Sequence, residues 1–113
     1  MPSDLTSQYT EQAGVLIVRP RGNLAGLVDD WAREVESRLR PELRGLILNL
    51  SGVEFISSRG LGVLLHLHKQ LTGRRSRLHL AGCSEAVRDS LEVAGLDALL
   101  FIFTTEAEAL AAY

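Results

Sequence analysis

Two hydrophobic periods take turns along this chain. Residues 5–10 form a weak strand candidate, and Glu11-Gln12-Ala13-Gly14 offers a hairpin turn into the short apolar run Val15-Leu16-Ile17-Val18. Pro20 and Gly22 are expected to end that second strand. From residue 27 to 40 the spacing changes. Val28, Trp31, Ala32, Val35 and Leu39 recur every three or four positions, which is one face of a helix. Pro41 should stop it, because proline has no amide proton to continue the ladder.

Gly45-Leu46-Ile47-Leu48-Asn49-Leu50 is nearly all apolar, as expected of a central strand covered on both faces. A short loop ending in Ser57 and Ser58 follows. Leu61, Leu64, Leu65, His68 and Leu71 then mark the face of a second helix that closes at Gly73. Residues 77–81 alternate, with Leu78 and Leu80 between Arg77 and His79, and predict another strand. Ser84 is a candidate N-cap for a third helix with Val87 and Leu91 inward and Gly95 at its end. Residues 99–103 predict the last strand. Thr105 precedes a short terminal helix from Glu106 to about Ala112. The expected order is ββαβαβαβα. It implies one α/β domain over residues 1–113, with four helices on a mixed, mostly parallel sheet of about five strands.

Composition narrows the function. Twelve basic against fourteen acidic side chains leave a formal charge of −2, which is not the basic footprint that nucleic acid demands. The single cysteine, Cys83, allows no internal disulfide and fits a reducing compartment. No apolar run approaches the ~20 residues that span a bilayer, and the polar start Met1-Pro2-Ser3-Asp4 lacks the apolar core of a signal peptide. A cytoplasmic protein without membrane insertion is expected.

Candidate chemistry is sparse. Ser57 and Ser58 stand just before a helix, where one serine commonly caps the first amides. Two adjacent hydroxyls exceed what capping needs, and Gly60 and Gly62 keep the surroundings low. An exposed hydroxyl there is open to another protein's active site, and a phosphate on it would face the positive end of the helix. Catalysis by these serines is not expected. His66 and His68 lie further up the helix and project away from its start, and the segment is not the glycine-x-serine-x-glycine elbow of hydrolases. Two positions apart, His66 and His68 point to different faces and cannot share a metal ion. His79 and Cys83 have no companions at ligand spacing. Gly60-Leu61-Gly62 lacks the rest of any nucleotide-binding loop. The expectation is no metal and no cofactor. Lys69, Arg74, Arg75 and Arg77 form a basic cluster, either a solvated face or a rim for an acidic partner.

The stretch Leu48-Asn49-Leu50-Ser51-Gly52-Val53, followed by Phe55-Ile56-Ser57-Ser58-Arg59-Gly60-Leu61-Gly62, resembles the STAS-domain proteins, specifically the small bacterial anti-sigma factor antagonists. A second block agrees: Leu78-His79-Leu80-Ala81-Gly82, the Ala94-Gly95-Leu96 turn and Glu108-Ala109-Leu110. The resemblance implies that Ser58 is phosphorylated by a serine kinase that doubles as the anti-sigma factor. It implies partner switching: the unmodified protein binds the anti-sigma factor, phosphorylation breaks the complex, and a serine phosphatase restores it. Ser57, Arg59, Gly60, Asn49 and Asn23 are candidates for the same docking surface. A monomer or weak dimer is expected. Three positions depart from the family pattern. Ser57 stands where many members carry aspartate. Arg59 replaces a small residue, either pairing with the phosphate or helping the kinase choose its substrate. The stretch from Gly22 to Ala25 lacks the usual acidic residues. The alternatives are a STAS subunit of a lipid-transport ATPase, which needs no phosphate, and a scaffold module of a stress-sensing assembly.

Overall fold

The structure is a computed structural model that describes residues 5–113; the polar start, expected to carry no leader, lies outside them. Strand β1 (Thr6–Gln12) turns back into β2 (Val15–Leu24) through Ala13 and Gly14. Both turn residues have positive φ, 55° and 78°, the two-residue turn whose twist matches a hairpin. Helix α1 (Val28–Ser37) leads to β3 (Gly45–Asn49), β4 (Gly52–Ile56), helix α2 (Ser58–Gly73) and β5 (Arg77–Ala81). Helix α3 (Glu85–Val93), a 3-10 turn (Leu96–Ala98), β6 (Phe101–Phe103) and helix α4 (Glu106–Ala111) complete the chain. The sheet runs β1-β2-β3-β5-β6, with β4 on the far half of β2, and only the β1–β2 pair is antiparallel.

The α/β class, the four helices and the mostly parallel sheet match expectation, with one strand more than foreseen. Residues 52–56, expected as loop, form β4. Strand β2 is ten residues long, and β3 pairs only with its first part, Val15 to Val18. The edge from Arg21 to Leu24 stays open for the next segment of chain, which pairs there in parallel. Pro20 does not end β2, because it falls between the stretches paired with β3 and β4, where no amide is asked to donate on that edge. Gly22 does not end it either. It adopts φ 117° at an irregularity in the β4 pairing that leaves Asn23 out of register.

Alternation along the central strands sends side chains to two layers. Leu16, Val18, Leu46, Leu48, Leu78 and Leu80 face α1, α2 and α3. Val15, Ile17, Ile47 and Ala81 face α4. His79 follows the second set and is fully buried, because α4 covers that face.

Helix α1 ends at Ser37, short of Pro41, in tight turns from Arg38 to the Val35 carbonyl and from Leu39 to Glu36. Leu39 is nevertheless buried, so the inward side-chain period outlasts the helical backbone. Helix α2 buries Gly60, Val63, Leu64, Leu67 and Leu71, while Leu61, Leu65 and His68 are only half-buried. With leucine or valine at 61, 63, 64, 65 and 67, periodicity alone does not fix the centre of its inner face. Strand β6 starts at Phe101, because Leu96 to Ala98 form the 3-10 turn.

Candidate functional site

The two serines before α2 divide their work. Ser57 has extended backbone, φ −85° and ψ 171°, and is the N-cap. Its Oγ accepts the Gly60 amide at 3.1 Å and donates to the Leu24 carbonyl at 3.3 Å, while its own amide donates to that carbonyl at 3.0 Å. Ser58 is the first residue of α2 and exposed; within the described residues its hydroxyl makes no hydrogen bond. No base touches it. Capping therefore falls wholly on Ser57, and the Ser58 hydroxyl is left to solvent.

Gly60 fixes where this helix begins. A β-carbon there would stand 2.3 Å from the Leu24 carbonyl oxygen and 2.8 Å from Ile56 Cγ1. Only glycine lets α2 press this closely on β2. Gly60 is thus buried scaffold, whereas a β-carbon at Gly62 would meet open space.

Ser58 stands on the rim of an open hollow between the start of α2 and the end of α3. Phe55, Leu61, Val93 and Ala94 supply apolar lining, and Asp89 an acidic edge. Phe55 and Val93 are 54% and 90% exposed, unusual for large apolar side chains grouped in one place. Val93 went unremarked in the sequence. Its signal was an apolar side chain off the inward stripe of α3, which Val87 and Leu91 occupy.

Arg59 points elsewhere. Its Nε donates to Asp29 Oδ2 at 2.8 Å and its Nη2 contacts the same oxygen, tying α2 to the first turn of α1. Two turns on, His66 Nε2 lies 3.1 Å from Glu36 Oε1 across the same helix pair. Asn23 is exposed on the β2 irregularity, one residue before the carbonyl that holds Ser57.

Asn49 lines a different hollow, with Arg19 and Ser51, and is not brought to Ser58. Its Nδ2 donates to Glu106 Oε2 at 2.8 Å and its Oδ1 accepts the Ser51 amide at 3.1 Å. Glu106 also takes Arg19 Nε at 3.0 Å and Nη2 at 2.6 Å. The Arg19 hydrogen bonds hold the Glu106 carboxyl below its ordinary range, with a smaller contribution from Asn49. This cluster fastens α4 to the sheet.

Beside it, Tyr113 stacks on His79 with centroids 3.9 Å apart, and its hydroxyl lies 2.8 Å from both the Leu46 and Arg77 carbonyl oxygens. Burial pushes the Tyr113 phenol well up and the His79 imidazole down. His79 Nδ1 donates to the Ala109 carbonyl at 2.8 Å. The basic cluster is dispersed: Arg74 donates to the Leu39 carbonyl, while Arg77 donates to the Ala112 carbonyl and lies over Phe101 and Tyr113. Among the described residues no group of three or more histidine, cysteine or acidic side chains could hold a metal, and no helix is long and apolar enough to cross a membrane.

Comparison with known proteins agrees with this geometry. An anti-sigma F factor antagonist of Paenibacillus polymyxa is 28% identical over 109 residues, 95% of this chain and 93% of that protein. High affinity sulfate transporter 2 of Stylosanthes hamata is 36% identical over 93 residues, 80% of this chain but 14% of the transporter. The crystal structure of an anti-sigma factor antagonist from Mycobacterium paratuberculosis superposes with a TM-score of 0.81 at 26% identity, covering 99% of this chain and 96% of that one. The STAS domain model matches residues 6–109, and with the sheet, the capped α2 and the exposed Ser58 in place, this chain belongs to the STAS-domain family.

Proposed function

We propose that this protein is an anti-sigma factor antagonist: a cytoplasmic, single-domain binding protein whose docking on an anti-sigma factor is switched by phosphorylation of Ser58. The observation that carries the reading is the pairing of a fully engaged Ser57 with a free, exposed Ser58 on the rim of an apolar hollow. Phe55, Leu61 and Val93 supply desolvatable apolar surface for a partner. A phosphate adds nearly two negative charges at that rim, close to Asp89, where a docked partner would have to bury them. A kinase that is also the anti-sigma factor, and a serine phosphatase that reverses it, complete the cycle.

The test is incubation with a candidate kinase and ATP, followed by intact mass and site mapping. One phosphate on Ser58, absent from Ser58→Ala, supports the reading. Tight binding that neither Ser58→Ala nor Ser58→Asp alters would overturn it.

The match to a sulfate transporter favours a second reading, in which the domain serves a transport protein. Alignment over nearly the whole length of a small antagonist weighs toward the first. Co-purification with a transporter and no modification at Ser58 would reverse that order.

A further inference from the structure

Ser58 and Arg59 are adjacent in sequence and separated in space. Ser58 lines the hollow between α2 and α3, whereas Arg59 lines the one between α2 and α1. Consecutive helical residues diverge around the axis and do not face each other. Two nitrogens of the Arg59 guanidinium hold Asp29 Oδ2, from a first turn of α1 that also carries Asp30. The charged side chain that lines the Ser58 hollow is acidic, Asp89 on α3.

We propose that Asp29 is a positioning residue that keeps Arg59 turned away from a phosphate on Ser58, so that the added charge stays uncompensated on the docking face. The proposal rests on the reading of Ser58 as the modified residue. It resolves what Arg59 does beside its target. An arginine free to swing over a neighbouring phosphate would neutralise part of its charge and weaken the switch. Held by Asp29, it leaves the switch sharp. Removing the carboxylate frees the guanidinium, and the phosphate becomes the best acceptor within its reach.

The test installs phosphoserine at position 58 during translation and follows its second ionisation by phosphorus NMR at low salt. The proteins compared are the wild type, Asp29→Asn, Arg59→Gln and the double variant. A nearby cation favours the dianion and lowers the titration midpoint. The expected result is that Arg59→Gln moves the midpoint little in the wild-type background. In the Asp29→Asn background it should raise the midpoint by about half a pH unit. An equal effect of Arg59→Gln in both backgrounds would overturn the proposal. This titration needs no partner, so it stands apart from the test of function. With the anti-sigma factor in hand, the affinity lost on phosphorylation should shrink about threefold to tenfold in Asp29→Asn and recover in the double variant. A loss unchanged in Asp29→Asn also counts against the proposal. No loss in any protein, wild type included, would instead refute the Ser58 switch while leaving the titration result intact.

Discussion

Gly60 and Leu24 are packed so closely that a β-carbon on the glycine would stand 2.3 Å from the leucine carbonyl oxygen. That same carbonyl accepts the amide and the hydroxyl of Ser57. One backbone oxygen of β2 therefore sets both the depth of α2 and the start of its first turn. Gly60→Ala should cost about 1–3 kcal/mol, because the obstacle is backbone and cannot rotate aside. Gly62→Ala, two residues on and in open space, should stabilise by about 0.5–1 kcal/mol through helix propensity. Urea denaturation of both variants checks the pair, and equal effects would refute the close approach.

The serines should separate in the same way. Ser57→Ala removes the cap on the Gly60 amide and should cost about 1 kcal/mol. Ser58→Ala removes a hydroxyl that has no hydrogen-bond partner among the described residues, and it should leave the denaturation midpoint nearly unchanged while abolishing phosphate incorporation. If Ser58→Ala proves the more destabilising of the two, the division of labour between them is wrong.

Most of the fold was legible in the sequence because the central strands announce themselves. Leu46-Ile47-Leu48 and Val15-Leu16-Ile17-Val18 are apolar on both faces, and both faces are in fact covered. Strand β4 was not legible, since only Val53 and Ile56 of its five residues are buried and no alternation marks it. Its existence follows from the unpaired half of β2, a tertiary fact. The site divides similarly. The Ser57-Ser58 pair could be found from local pattern. Which serine caps depends on the Leu24 carbonyl, 33 residues away. Asn49 stood close to Ser58 in sequence, yet the contact that occupies it comes from Glu106, 57 positions on.

That contact gives a third prediction. Asn49→Ala breaks the hydrogen bond to Glu106 and the one from the Ser51 amide, so it should destabilise by about 1–2 kcal/mol. It should not change affinity for the anti-sigma factor once the protein is folded. A loss of affinity with stability intact would return Asn49 to the docking surface.

Stability should also fall on mild acidification, through His79. Burial holds its folded pKa below the ordinary 6.5, so the native state binds fewer protons than the unfolded chain. The stabilisation is complete above about pH 6.5 and is lost progressively as pH drops from there toward the lowered value. Glu106, whose carboxyl is also depressed, adds a loss of the same sign only in the more acidic carboxylate range. His79→Phe should flatten the pH dependence of unfolding free energy between about pH 7 and 5, because His66 and His68 remain in both proteins. Parallel curves for variant and wild type would mean that the buried imidazole is not the titrating group.

The last prediction concerns the apolar rim. Val93 is 90% exposed and Phe55 54%, so neither contributes much to the core, and their replacement should cost little folding energy. If the hollow beside Ser58 is where the anti-sigma factor docks, a charge at Val93 must be desolvated there without a partner. Val93→Asp and Phe55→Ala should each weaken the complex by about tenfold or more, with the midpoint of unfolding nearly unmoved. Leu99→Ala offers the control, being 46% exposed but outside that hollow. Titration calorimetry of the three variants against the same anti-sigma factor separates the cases. Uniform affinity across them would place the docking face elsewhere on the molecule, even if Ser58 is phosphorylated. Selective loss at Val93 and Phe55 would explain why a phosphate at this rim, and not a generic surface charge, governs the complex.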